Sequence, residues 1–154
     1  MYTKILVPLD GSEVAESALP YLKWFTKVSN VNEIIFMRVV EHFKVPGGIE
    51  GTIISEERTL IEHDAVKLAT EYLEKLADQF KSDQIKVRTK VLVGKPSRVV
   101  ADFVAKSNTD LIIMATHGLS GIQRLVRGSI ADEILHAALV PVFIVKPQDK
   151  PPDK

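Results

Sequence analysis

The chain has no cysteine. Disulfide scaffolds, thiolate nucleophiles and cysteine-based zinc sites are therefore excluded. It also lacks net charge, with 20 Lys and Arg against 20 Asp and Glu. That balance gives no argument for nucleic acid or for an anionic membrane surface as a partner. No apolar run approaches the ~18 residues of a membrane span. The first strand-like run begins at Thr3 with no charged region and apolar stretch ahead of it, so no signal peptide is expected and a cytoplasmic protein is. The histidines at 42, 63, 117 and 136 show no i, i+4 pairing around an acid, so no metal ligands are predicted. No Ser-His-Asp order maps onto a defined geometry either. Without an identifiable general base or nucleophile, little or no turnover is expected, slow hydrolysis at most.

What is present is an ordinary globular composition, 45% hydrophobic and 26% charged over 154 residues. One domain is expected over 1–147, followed by a proline- and charge-rich tail, 148–154, expected to be disordered. Lys4 to Leu9 is a short apolar run, consistent with a strand buried on both faces, and Pro8 must lie at its end because it cannot donate to a ladder. Asp10-Gly11-Ser12 is a turn and cap signal. Val14, Ala18, Leu22 and Phe25 then recur at helical spacing, and Pro20 is expected to interrupt that helix, kinking it or weakening one turn. Glu33 to Val40 is a second strand. The glycine-bearing stretch 41–54 is long for a loop and is expected to form a flap. The longest helix is expected from Ser55 to about Lys81, with Ile61, Ala65, Leu68, Ala69, Tyr72, Leu76 and Phe80 on its apolar face.

Ile85 to Val93 alternates, with Lys86, Arg88 and Lys90 on one side, as suits an edge strand. Pro96 is pre-set for the first turn of the next helix. Leu111 to Ala115 is a buried strand, a short helix follows from Ser129, and Val140 to Lys146 is the last strand. Strands alternating with helices in this way mean an α/β fold with a parallel sheet. The strand orders 2-1-3-4-5 and 3-2-1-4-5 are the main options, and the edge-like third strand favours 3-2-1-4-5. The last strand then becomes the other edge although it is apolar on both faces, which predicts a homodimer through strand 140–146 ahead of the alternative that the tail covers it.

The stretch most suggestive of chemistry is 109–131. A buried strand breaks at Thr116-His117-Gly118, passes glycines at 118, 121 and 128, and re-enters a helix at Ser129. Glycines allow close backbone approach to a ligand, and a helix start favours an anion. Arg124 and Arg127 add positive charge. These are the parts of a nucleotide-phosphate site. In the order 3-2-1-4-5 the ligand crevice lies between the ends of the first and fourth strands, at Leu9-Asp10 and Ala115 to Gly118. Asp10 could accept hydrogen bonds from a ribose or an adenine amine; the spacing supports a turn or cap role equally. Val93-Gly94-Lys95-Pro96-Ser97 is not a phosphate-binding P-loop, since position 89 is Thr and Pro96 separates Lys from Ser.

MYTKILVPLDGSEVAESAL resembles the opening of universal stress protein (UspA-like) domains, and MATHGLSGIQRLVRGSIADEILHAALVPVFIVK resembles their closing block. The resemblance covers Thr3 to Lys146. It implies a three-layer α/β sandwich with a five-stranded parallel sheet in the order 3-2-1-4-5, adenine nucleotide α-hydrolase-like, dimeric through the last strand. The ATP-binding branch carries Gly-x2-Gly-x9-Gly-Ser/Thr, matched here by Ala115-x2-Gly118-x9-Gly128-Ser129 with alanine for the first glycine. The resemblance implies that Asp10 contacts the nucleoside and that Val39 lends backbone hydrogen bonds to adenine. It further implies that Gly118, Gly128 and Ser129 hold the phosphates, that Ile130 follows them at the helix start, and that Pro8 and Met114 flank the base. His117 reads as a loop residue touching phosphate or solvent, and Arg127 equally as a charge within reach of the β- or γ-phosphate or as a solvated one. The expected ligand is ATP, with Mg²⁺ or Mn²⁺ held through the phosphates, in a stress-response or signalling module that changes conformation or partners with bound nucleotide. The alternative is a nucleotide-free dimeric interaction module of the same family, favoured by Ala115. A phosphotransferase or adenylyltransferase is a third reading, unsupported by any second acid–base pair.

Overall fold

In the computed structural model, residues 1–42, 55–116 and 130–147 are described. Strand β1, Lys4–Pro8, buries Ile5, Leu6 and Val7 completely, so both its faces are covered. The other strands are β2 (Glu33–Val40), β3 (Lys86–Val93), β4 (Leu111–Ala115) and β5 (Val142–Val145). All pair in parallel, in the order β3-β2-β1-β4-β5. This is the order expected from the charged face of β3, whose Lys86, Arg88 and Lys90 are exposed at the edge of the sheet.

Alternation along the strands sorts the core into two layers. Ile5, Val7, Ile34, Phe36, Leu111 and Ile113 point to one side, where they meet helices α2 (Leu19–Val28) and α3 (Ser55–Asp78). Leu6, Ile35, Met37, Ile112 and Met114 point to the other, where they meet α4 (Pro96–Ser107) and α5 (Ile130–Ala137). Fully burying one such aliphatic or aromatic side chain contributes about 1.5–3 kcal/mol. The result is a three-layer sandwich.

Two expectations about the helices are corrected. Pro20 does not kink a continuous helix. The helix ends instead as a short α1, Glu13–Glu16, and restarts as α2 with Pro20 in its first turn. A proline there loses no bond, because the first N–H groups of a helix have no intrahelical acceptor. The break itself is a tightened turn, with Ser17 N–H reaching the carbonyls of Glu13 and Val14 and Ala18 N–H that of Ala15. The second correction concerns α3, which ends at Asp78 and not near Lys81. Before Ala69 the helix does not bury the predicted face, since Ile61 is 41% and Leu68 65% exposed. The buried contacts come from Ala69 onward, and Leu73 and Ala77, absent from the predicted face, are buried with Leu76 and Phe80. The last strand is also shorter than expected, starting at Val142 after Pro141. The 43–54 part of the expected flap, and the tail 148–154, lie outside the described residues.

Candidate functional site

The carboxyl end of the sheet is divided. Strand β1 pairs with β4 only at Ile5↔Leu111 and Leu6↔Ile112. Beyond that, β1 stays with β2, to Pro8↔Met37 and a bond from Leu9 N–H to the Met37 carbonyl of 2.8 Å. Strand β4 stays with β5, to Ala115↔Val145 and a bond from Thr116 N–H to the Val145 carbonyl of 3.0 Å. The strand order reverses here, where open α/β sheets take ligands.

Asp10 follows β1 and is exposed. Its Oδ1 accepts from Ser12 N–H at 2.8 Å, while Ser12 Oγ accepts from Ala15 N–H at 3.1 Å and caps α1. Asp10 is thus the turn residue and Ser12 the cap. Between them Gly11 adopts φ +85°, a conformation that disfavours any side chain. A Cβ on Gly11 would also lie 3.1 Å from Nη1 of Arg38, so the turn lies directly against that guanidinium. Arg38 also meets α3, with Cζ 5.5 Å from the centroid of the Tyr72 ring. Tyr72 donates its hydroxyl to Glu16 Oε1 at 2.8 Å. Burial first, then the hydrogen bond to Glu16 and the charges of Glu16 and Asp10, push the Tyr72 hydroxyl pKa well up; Arg38 opposes them. The phenol therefore stays protonated and remains a donor.

Asp10, Arg38, Val39, Glu41, Ala65 and Leu68 line an open cleft of about 300 Å³ between the ends of β1 and β2 and the middle of α3. Of the predicted site residues, Asp10 and Val39 are brought together here. Pro8, Met114 and Ala115 stand on the two strands flanking the division. Pro8 is half-buried, Met114 is buried in the layer under α4 and α5, and Ala115 is half-buried against the opposite layer. Ile130 opens α5 and is exposed, away from the cleft lining. His117, Gly118, Arg127, Gly128 and Ser129 lie outside the described residues, as do Gly121 and Arg124.

On the face of the sheet opposite α3, α4 and α5 are tied at their starts. Glu133, in the first turn of α5, meets Lys95 Nζ at 2.7 Å and accepts from the Ser97 hydroxyl. The hydrogen bond to Lys95, then that to Ser97, hold the Glu133 carboxyl below the usual carboxylate range. Among the described residues, no group of three or more His, Asp or Glu could hold a metal ion, and no helix is long and apolar enough to cross a membrane.

The family model of the universal stress protein family matches residues 1–146. The chain belongs to the universal stress protein family. It is 30% identical over 154 residues to universal stress protein MJ0531 of Methanocaldococcus jannaschii, covering 97% of this chain and 85% of that one. The solved structure of MJ0577, from the same organism, superposes with a TM-score of 0.77 at 25% identity, covering 97% of this chain and 99% of that one. A universal stress protein family structure from Arabidopsis thaliana, with AMP bound, superposes with a TM-score of 0.53 at 14% identity, covering 94% and 91%. That last likeness bears on the fold alone.

Sequence reasoning missed Arg38, Ala65 and Leu68 in this universal stress protein as lining of the cleft. A signal existed for the first, since Arg38 is the lone charge inside the apolar run from Ile34 to Val40. The two α3 residues carried no such signal, because an apolar helical stripe reads as core until its partner is known.

Proposed function

We propose that this universal stress protein binds an adenine nucleotide, ATP first among them, and acts as a cytoplasmic stress-response or signalling module whose conformation or partners change with the bound nucleotide. The observation that carries this reading is the division of β1 from β4 with Asp10 and Val39 meeting in a cleft beside it. The cleft, at about 300 Å³, is at the small end of ligand sites and suits the nucleoside half. Its chemistry fits as well: a carboxylate for hydroxyls or an amine, the end of β2 for backbone hydrogen bonds, and apolar Ala65 against a base. Gly118, Arg127, Gly128 and Ser129 are the residues proposed to hold the phosphates. A divalent Mg²⁺ or Mn²⁺ held through those phosphates would neutralise their charge. Little or no hydrolysis is expected, because the described lining of the cleft, with the carboxylates of Asp10 and Glu41, offers no ordered pair of base and nucleophile.

The proposed assembly is a homodimer through the last strand. Strand β5 is a sheet edge, and Ile144 at 37% and Leu139 at 84% exposure leave apolar surface there. A monomer by sedimentation at micromolar concentration would refute it. The nucleotide reading is tested by denaturing the purified protein and identifying released nucleotide by mass spectrometry. Near-stoichiometric ATP is the expected result. A protein that releases nothing and ignores added ATP·Mg²⁺ would instead support the nucleotide-free dimeric module, the reading that Ala115 in place of glycine favours.

A further inference from the structure

We propose that a second groove, between α2 and the end of α3, is a docking site for residues 148–154 of the same chain, with Lys150 on Glu16 and Asp153 on Lys23. The groove measures about 440 Å³, against about 300 Å³ for the cleft at the ends of β1 and β2. Glu16, Leu19, Pro20 and Lys23 line it from one side, Gln79 and Phe80 from the other. The two sides are joined twice. Tyr72 of α3 donates to Glu16 at 2.8 Å, and Lys23 Nζ stands 5.3 Å from the centroid of the Phe80 ring. Leu19 and Pro20 come between those two contacts in the chain, and Pro20 is exposed. The lining thus offers a carboxylate and, about two helical turns or roughly 10 Å further on, an ammonium, with apolar surface between them. Its complement is a cation and an anion at that spacing, joined by an apolar stretch.

Residues 150–153 read Lys-Pro-Pro-Asp. Proline pairs favour the polyproline II conformation, with three residues per turn and a rise of ~3.1 Å per residue. In that conformation Lys150 and Asp153 share one side at a spacing of about 9 Å, and the prolines fall between them. Proline segments are already extended, so they lose little freedom on entering an aromatic-lined groove. A proline- and charge-rich composition keeps 148–154 from building a core, but not from lying on one. The course of the chain favours its own tail over a separate partner. Strand β5 lies against α2, with the Phe143 ring centroid 5.4 Å from that of Tyr21 and 5.2 Å from that of Phe25. Because β1 and β5 are parallel members of one sheet, β5 ends at the end of the sheet where α1 begins. From Val145 to Lys150 the chain can reach up to ~17 Å, more than the ~10–12 Å width of a helix. Lys150 then meets the Glu16 end first, and Asp153 follows along α2. Exposed ion pairs are individually weak. A short tether holds the segment at an effective concentration in the ~millimolar range, where weak pairs suffice.

The test exploits the lack of native cysteine. Lys154→Cys in the full chain takes a single nitroxide label, and its effect on the amide signals is read by NMR. Selective loss of signal is expected at Leu19, Lys23, Gln79 and Phe80, with recovery when the nitroxide is reduced. Asp153→Lys and Lys23→Glu should each weaken that loss severalfold, and the two together should bring it back through the exchanged pair. Lys23 is exposed, so its replacement is expected to leave the fold intact. No loss at these amides would overturn the proposal, as would loss spread evenly over the surface, or a combined variant no better than the single ones. A loss that appears on isotope-enriched, unlabelled chain mixed with nitroxide-labelled chain would overturn it too, since the tail would then come from a second copy. None of these outcomes bears on the nucleotide reading, because the groove and the cleft share no lining residue.

Discussion

The two ends of the sheet are built differently from the same strands. At the amino end everything is stitched. Asp110, just before β4, accepts from Thr3 N–H at 2.9 Å, Thr3 Oγ at 2.8 Å and Lys4 N–H at 3.1 Å, and returns its own N–H to the Lys4 carbonyl at 3.0 Å. Asn32 and Glu33 both donate to the Thr3 carbonyl, and Lys86 N–H closes onto Asn32. Thus β3, β2, β1 and β4 are joined across their starts. At the carboxyl end β1 and β4 have no further ladder pairs after Leu6 and Ile112. One end spends its polar groups on the fold itself; the other leaves a carboxylate, a guanidinium and strand-end backbone beside open space. A parallel sheet can be rigid and still offer a site because these duties fall on opposite ends.

The sharpest way to break the comparison is to exchange its effects. Asp110→Ala removes three acceptor contacts at the stitched end and is expected to cost about 3 kcal/mol of stability by urea denaturation. Nucleotide affinity should stay near wild type in the folded fraction. A large affinity loss without destabilisation would mean that the two ends are not separate. Asp10→Ala should do the reverse. It is expected to lose tenfold or more in affinity by calorimetry, with a stability cost of about 1 kcal/mol or less for its turn bond to Ser12. Unchanged affinity would remove Asp10 from the site.

The smallest effect is a refinement at the α4–α5 tie. Because Lys95 and Ser97 depress the folded-state pKa of Glu133, its contribution is complete above the ordinary carboxylate pKa and is lost as pH falls through the lower folded value. Glu133→Gln is therefore expected to flatten the acid side of the stability–pH curve and leave the neutral-to-alkaline side parallel to wild type. An unchanged acid limb in parallel denaturation series would show that the tie carries no such linkage.

Much of this was legible from patterning. The apolar runs at Ile5–Val7 and Leu111–Met114 are consistent with strands covered on both faces, and the charges on one side of β3 suit an edge. Together these favour the order 3-2-1-4-5 over 2-1-3-4-5, and the sheet has that order. Pro8 at a strand end followed from its missing N–H in the same way. The failures share a cause. Pro20 was read against one helix when the chain makes two, and Leu68 was read as core because its spacing is that of core. Spacing says which residues share a face, but not what stands opposite that face.

The sequence by itself determined the class of fold, the order of its strands and the family, because period, edge charge and end motifs are local properties of the chain. It also put Asp10 at the mouth of β1, while leaving its partners open. The tertiary structure decided that Asp10 is the turn residue and Ser12 the cap, and that β1 leaves β4 after two pairs. It also decided that Arg38, more than twenty-five residues from Gly11 and more than thirty from Tyr72, lies close to both. Those outcomes depend on which surfaces meet across the sheet, and that is fixed only when the layers close and each polar group must find its partner in space.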